Sequence, residues 1–376
     1  MPAKAGIHKV KENDMSEVGL KKSDLDTPLL WVDLDKMEAN IAALGAHFKK
    51  AGVDWRPHIK GIKIPAIAHK AIAAGAIGVT CAKLGEAEVM AAAGITDLLV
   101  ANQVVGPRKM ARLVNLRRHA DVKVAIDNRA HVEMISQAAT AKGVEIGVLV
   151  ELNTGMNRAG VAPGEATVAL SRLAHETPGV RYMGLMAWEG HTLTEADPDA
   201  KRAAIEKAVG LIADSAEQCR AAGLPVSIVS GGGSGTYQIT PFLSGITEMQ
   251  AGGAIFNDIS YQSWGVTTTP ALFVRSVVTS RPAPDRIIFD AGFKTLPTWH
   301  AQPQAAGLDG VERHSASAEH GVMRLEGPNE QVQIGDAFDF MLGYTDETLF
   351  LHDHLYGIRD GVVEVVWEIA ARGKLR

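Results

Sequence analysis

Three short segments of this 376-residue chain carry residue types that can do chemistry together. The first is Arg56-Pro57-His58-Ile59-Lys60, a cationic stretch stiffened by a proline, with Lys63 just beyond it. A partly desolvated lysine loses proton affinity, and its amine becomes a usable nucleophile toward carbonyls. Taken alone, Lys60 reads better as a surface lysine opening a helix; Pro57, His58 and Lys63 beside it shift the balance toward chemistry. The second segment is Ser230-Gly231-Gly232-Gly233-Ser234-Gly235-Thr236. Glycine at four of the five positions 231–235 lets backbone N–H groups converge on an anion, and Ser234 and Thr236 add hydroxyl donors. No Gly-Lys-Ser/Thr follows, so this is not a nucleotide P-loop. The third segment runs from Glu151 to Gly160, where Arg158 can hydrogen-bond a ring nitrogen or a carboxylate.

These segments need a scaffold, and the surrounding pattern supplies one. From Leu29 onward, β-rich runs alternate with Ala-rich stretches of helical period. LLWVDL (29–34) reads as a strand and 36–50 as an amphipathic helix. Eight further strands are expected at 55–59, 78–82, 97–101, 122–126, 145–152, 181–188, 226–230 and 247–251. Between them lie apolar positions at helical spacing, such as Leu84-Ala87-Ala91 and Met110-Leu113-Leu116. Such α/β alternation, with about eight βα units, favours a (β/α)8 TIM-type barrel over a doubly wound open sheet. Barrels do their chemistry at the C-terminal ends of the strands, and all three segments leave strand ends. A reactive lysine, an anion cradle and an arginine at one mouth are what pyridoxal phosphate needs.

After about Val266 the texture changes. Runs at 273–281, 286–292, 321–326, 336–342 and 362–369 read as strands without long helices between them. The expected organisation is a polar, mobile leader over 1–26, a barrel over 27–268 and a C-terminal all-β domain over 269–376. Strand 29–34 is free to join the β domain, and Met15 is a candidate alternative start.

Composition narrows the function classes. Lys plus Arg is 38 and Asp plus Glu is 43, a balance of −5 that argues against a nucleic-acid partner. No apolar run approaches the roughly 18 residues of a membrane span, and the leader has no apolar stretch like a secretory signal. Two cysteines, Cys81 and Cys219, cannot form a disulfide framework and fit a reducing, cytoplasmic setting. Of the 38 glycines, Gly75, Gly94, Gly143 and Gly223 follow helical stretches, as C-terminal caps do.

Taken in order, RPHIKGIK, TCAKLGEAE, ELNTGMNRAG, GLMAWEGH, VSGGGSGTY, EMQAGG, ASAEHG and LHDHLYGIRDG resemble the D-threonine aldolase and D-serine dehydratase family. The resemblance runs from about Thr27 to the C-terminus. It implies a fold-type III pyridoxal phosphate enzyme: an alanine-racemase-like barrel, a C-terminal β domain and a homodimer. Lys60 matches the Schiff-base lysine, and Gly232, Gly233, Ser234, Gly235 and Thr236 match the phosphate loop. Gly252 and Gly253 extend that loop. Arg158 matches the arginine near the cofactor ring. Trp188 lies where the family has a pocket tyrosine, and Tyr261 is a weaker aromatic candidate.

The departures cluster at the substrate end. The resemblance implies a divalent metal (Mn, Mg or Zn) on a His-x-Cys or His-x-Asp motif, roughly fifteen residues before an arginine matched by Arg359. Counting back places Tyr344-Thr345-Asp346 on that motif, so Tyr344 replaces the histidine and Asp346 remains as the expected ligand. His352-Asp353-His354 falls on the following strand, outside the motif's register. Ile62 and Asn153 also stand where the family has a histidine and an acid.

The implied substrate is a small D-configured β-hydroxy-α-amino acid. Lewis-acid help for a hydroxide leaving group is worth several kcal/mol, whereas retro-aldol cleavage can use a general base contributing about 10²–10⁴-fold. Retro-aldol cleavage to glycine and an aldehyde therefore ranks above dehydration, racemisation and non-catalytic cofactor binding. His320 and Tyr344 are the base candidates. The phenol needs its pKa brought down from about 10.

Overall fold

The computed structural model describes residues 17–376. Labels follow chain order. The first strand, β1 (Leu29–Asp33), feeds α1 (Leu34–Ala51) directly. Asp33 caps that helix by accepting the Lys36 amide, and Gly52 ends it at φ 71°. The chain continues through β2 (Asp54–Trp55), α2 (Pro65–Ala73), β3 (Val79–Cys81), α3 (Leu84–Ala92), β4 (Asp97–Gln103) and α4 (Pro107–Leu116). Then come β5 (Asp121–Ile126), α5 (Arg129–Thr140), β6 (Ile146–Leu152), α6 (Glu165–Glu176), β7 (Val180–Ala187), α7 (Pro198–Ala221), β8 (Ile228–Gly231) and β9 (Glu248–Met249).

Strands β2 to β9 form one parallel sheet in the order β2-β9-β8-β7-β6-β5-β4-β3. Single parallel bridges, Trp55 to Ala76 and His58 to Thr80, join its two ends and close the barrel. Buried apolar residues on both faces explain why β6 is buried along its whole length. Leu99, Ala125, Leu149 and Met186 pack together as an inner layer from β4 to β7. Toward the start of the strands the interior is ionic. Arg56, almost fully buried, donates to Glu248 at 2.8 Å and to Asp97 at 2.6 Å, and Lys123 reaches Asp97 at 2.7 Å. The capping glycines read from the sequence have positive φ, from 63° at Gly143 to 108° at Gly75.

Beyond α8 (Ile259–Ser263), strands β10 (Leu272–Ala283), β11 (Arg286–Phe289), β12 (Gln304–Ala305), β13 (Val311–Ala316), β14 (Gly321–Leu325) and β15 (Ala337–Met341) follow. A short helix, α9 (Thr345–Thr348), precedes β16 (His354–Arg359) and β17 (Val362–Glu368). The second sheet runs β13-β14-β11-β10-β1-β16-β17, with β15 also on β10. Strand β1 lies in this sheet, antiparallel to β10 and parallel to β16, and the chain crosses from it to the barrel through α1. The mobile leader expected over 1–26 is described from Glu17 onward; residues 1–16, Met15 included, lie outside the described residues. From Glu17 the chain is tied to the sheet rather than loose. The Gly19 amide donates to Val363 O at 2.9 Å, and Lys22 pairs with Asp339 while lying 3.6 Å from the Trp31 ring centre.

Expected strands 55–59 and 247–251 are each only two residues long, because the chain turns at once into the loops that carry chemistry. Strand β13 was not expected: VERHSA is charged and half exposed, without a clear period-two pattern. No helix among the described residues is long and apolar enough to cross a membrane.

Candidate active site

Lys60 stands on a single 3-10 turn, Ile59–Gly61, where the chain leaves β2. His58 caps the turn, its Nδ1 accepting the Lys60 amide at 3.3 Å. The Lys60 side chain is 45 % exposed, and its Nζ lies 2.6 Å from Asp346 Oδ2. That oxygen also accepts the Tyr344 hydroxyl at 2.8 Å. Asp346 Oδ1 is buried with no hydrogen-bond partner. Gly61 makes this approach feasible, because a Cβ there would collide with Asp346 Oδ1.

Two further contacts hold the turn. Lys63 adopts φ 56°, unusual for a residue with a side chain, and is buried in an ion pair with Glu86. Glu86 also accepts the amides of Ala82 at 2.7 Å and Lys83 at 3.1 Å. On the β-domain side, the buried Asp258 accepts the Tyr261 amide at 2.8 Å and the Thr345 amide at 2.7 Å. It thereby fixes the loop carrying Tyr344 and Asp346.

The electrostatics follow from burial and these partners. Burial pushes Asp346 upward, but the Lys60 charge and the hydrogen bonds from Lys60 and Tyr344 outweigh it and hold the carboxyl below its usual range. Burial, then the Lys60 charge, pushes His58 down to about 3. Burial, reinforced by Asp346, raises Asp258 to about 7 against its two amide hydrogen bonds. Tyr344 is raised above the ordinary phenol range by burial and by Asp346. The lowered pKa a tyrosine base needs is thus the reverse of what the fold provides, and Tyr344 acts here as a protonated donor.

The glycine loop sits beside this group. Gly252 packs its backbone on the His58 backbone, leaving no room for a Cβ. The Ala254 amide, two residues on, donates to Ser234 Oγ at 2.9 Å. The Ser234, Gly235 and Gly253 amides meet no acceptor among the described residues. Gly232 takes φ 67°. A Cβ on Gly233 would lie 2.6 Å from the Trp188 ring, and one on Gly253 would enter the Tyr261 ring. Open amides on glycines crowded against two aromatic rings fit a phosphate. Thr236 departs from the expected role. Its hydroxyl donates to Glu189 Oε1 at 2.8 Å, so it braces the loop instead of facing an anion. Glu189, nearly fully buried, also accepts Thr240 Oγ at 2.6 Å and the Gly232 amide at 3.2 Å. Glu189 carries no signal in the sequence beyond its place inside GLMAWEGH; a buried carboxylate behind a glycine loop has no sequence period to reveal it.

Arg158 is 56 % exposed, 3.6 Å from Glu151 Oε1, and its charge reaches His58. Asn153 holds this loop by accepting the amides of Gly155 and Asn157. His320 is not brought to the lysine. It is exposed at the turn between β13 and β14, where its carbonyl accepts the Ser317 amide, and no contact among the described residues links it to Lys60. His352 is buried against Thr295 O at 2.8 Å and lines a separate cleft with Asp353, His354 and Asp26.

Residues 32–259 match the alanine racemase N-terminal domain, and residues 271–358 match a serine dehydratase domain. The chain is 37 % identical to a D-threonine aldolase of Arthrobacter sp, over 93 % of each chain. The crystal structure of D-threonine aldolase from Filomicrobium marinum superposes with a TM-score of 0.92 at 35 % identity, covering 96 % of this chain and 99 % of that one. D-threo-3-hydroxyaspartate dehydratase from Delftia sp. HT23 superposes with a TM-score of 0.85 at 30 % identity, covering 93 % and 98 %. With two domains in this order and relatives matched over nearly their whole length, the chain belongs to the D-threonine aldolase and D-serine dehydratase family, pyridoxal phosphate lyases of D-configured β-hydroxy amino acids built on an alanine-racemase-like barrel.

Proposed function

We propose that this chain cleaves a D-β-hydroxy-α-amino acid by a retro-aldol reaction to glycine and an aldehyde, with pyridoxal phosphate held on Lys60. The observation that carries this reading is the half-exposed Lys60 amine, joined through His58 and Gly252 to a loop whose Ser234, Gly235 and Gly253 amides are open. The cofactor, when bound, draws the electrons of the broken bond away from Cα.

The chain's own residues do the rest. The Lys60 amine is the attachment point. Ser234, Gly235 and Gly253 bind the phosphate through their amides, with Gly232 and Gly233 shaping the loop and Glu189 and Thr236 holding it from behind. Trp188 and Tyr261 wall the loop. Arg158 faces the ring end together with His58. Neutral His58 places no second positive charge beside the reacting amine.

Dehydration is the second reading, supported by the similarity to the Delftia dehydratase. Product analysis separates the two. With D-threonine, glycine and acetaldehyde support the aldolase, whereas ammonia and a keto acid without glycine support the dehydratase. Products of neither kind, with the substrate only racemised, would sink both. A homodimer follows from the family resemblance, and the two buried free thiols suit the cytoplasm. A single-chain mass in sedimentation equilibrium would overturn the dimer. A divalent metal, expected from the resemblance, is the one implied group that the donor atoms do not suit.

A further inference from the structure

The resemblance implies a divalent cation at residues 344 and 346, and the residues standing there do not fit one. A ligand atom must turn a lone pair toward the ion. Asp346 Oδ2 is instead faced by two hydrogen donors, Lys60 Nζ at 2.6 Å and the Tyr344 hydroxyl at 2.8 Å. Asp346 Oδ1 has no partner, but it lies against the backbone of Gly61. One carboxylate oxygen falls well short of the roughly four to six donors a divalent ion gathers. Among the described residues, no group of three or more His, Cys, Asp or Glu side chains is placed to hold a metal. Tyr344 is also boxed in. Its ring centre is 4.7 Å from that of His300 and 5.7 Å from those of Tyr261 and Trp264. The phenol therefore stays where the resemblance expects an imidazole ligand, with its hydrogen spent on Asp346.

We propose that Tyr344, rather than a divalent cation, receives the substrate's β-hydroxyl in this chain. The assignment rests on the lyase reading of Lys60, because it places the amino acid beside that amine. Tyr344 Oη and Lys60 Nζ share one oxygen of Asp346, so the phenol stands beside the amine that an incoming amino acid would displace. Having donated its hydrogen, the phenolic oxygen presents lone pairs, and a β-hydroxyl donates into them. Asp346 acts as the positioning residue for the phenol, and Gly61 supplies the space that lets the carboxylate lean over the lysine turn. An amino acid without the β-hydroxyl leaves a lone pair of that oxygen unmatched in a partly buried setting, which is the basis for discrimination.

The test uses the full-length holoenzyme. Chelator-treated wild type and Tyr344→His are titrated with Mn²⁺, and uptake is followed by electron paramagnetic resonance of the free ion. Wild type is expected to take up no stoichiometric Mn²⁺. Tyr344→His, with an imidazole two residues from Asp346, is expected to take up about one ion per chain. In parallel, stopped-flow absorbance of the bound cofactor compares the binding of D-threonine with that of its deoxy isostere D-2-aminobutyrate before turnover. Wild type is expected to favour D-threonine, and Tyr344→Phe to reduce that preference about five- to tenfold. Stoichiometric Mn²⁺ in chelator-treated wild type overturns the proposal, and so does an unchanged preference in Tyr344→Phe. Failure of the lyase reading looks different: the wild-type protein then either shows no visible cofactor band or yields no glycine, aldehyde, ammonia or keto acid from D-threonine.

Discussion

Lys60 Nζ and Asp346 Oδ2 meet at 2.6 Å across the seam between the barrel and the C-terminal sheet. The lysine belongs to the turn after the first barrel strand, and the carboxylate to the short helix before β16. Neither sheet holds the reactive centre alone. The seam is fixed by Asp258, which caps α8 and accepts the Thr345 amide one residue before Asp346.

Replacing Lys60 with Ala removes the amine on which we propose the cofactor is held. The purified variant is expected to lose the visible absorbance of bound pyridoxal phosphate after dialysis, and its turnover of D-threonine to fall below detection. A variant that keeps the band would show that another lysine carries the cofactor. Lys63, buried against Glu86, would be the first to check.

Gly253→Ala drives a methyl group into the Tyr261 ring at the edge of the phosphate loop. Overpacking of this kind costs about 1–3 kcal/mol. Here it falls on a loop whose open Gly253 amide we propose binds the phosphate. The dissociation constant for pyridoxal phosphate, measured by fluorescence quenching, is expected to rise at least about tenfold, with a smaller loss of thermal stability. An affinity equal to wild type would take Gly253 out of the cradle.

Arg56 is buried between Glu248 and Asp97. Removing the guanidinium leaves the nearly fully buried Glu248 carboxylate without its charge partner. Breaking a buried pair this way costs about 3–5 kcal/mol. Arg56→Ala should therefore show a clearly lower urea midpoint. Because Arg56 points into the barrel away from the mouth, a variant that stays folded should keep its affinity for pyridoxal phosphate.

Asp258 links pH to stability. Burial raises its folded-state pKa to about 7, above the ordinary value near 4 of the unfolded chain. Between those values the folded state binds more protons than the unfolded state, so this group makes stability decline as pH rises from about 4 to 7. Urea unfolding at a series of pH values should show a shallower decline in Asp258→Asn than in wild type. Equal slopes in the two proteins would assign the decline to other groups.

The barrel was legible because its signal is periodic and local. Buried parallel strands read as Val, Ile and Leu runs, and glycines mark the helix ends that separate them. The glycine loop was legible for the same reason, since four glycines within five residues leave a mark that needs no tertiary context. Glu189 and Asp258 were not legible, because Glu189 holds the glycine loop from 43 or more residues away and Asp258, besides capping α8, reaches Thr345 across 87. His320 shows the opposite case. An imidazole is the side chain most often used as a base, but this one sits on an exposed turn, and no contact among the described residues joins it to the lysine.

By itself, the amino-acid sequence determined the alternation of elements, the lysine at the end of the first barrel strand, the glycine loop and the tyrosine at 344. These depend on residue type and short spacing, which the chain carries wherever it folds. Tertiary structure alone decided that β1 pairs in the far sheet, that Thr236 turns to Glu189, and that Tyr344 donates to the same oxygen that pairs with Lys60. Residues 60 and 346 lie far apart along the chain, and no spacing rule relates them. Their contact exists because the barrel and the second sheet meet along one seam, which gives a tyrosine that reads as a base its place as a hydrogen donor.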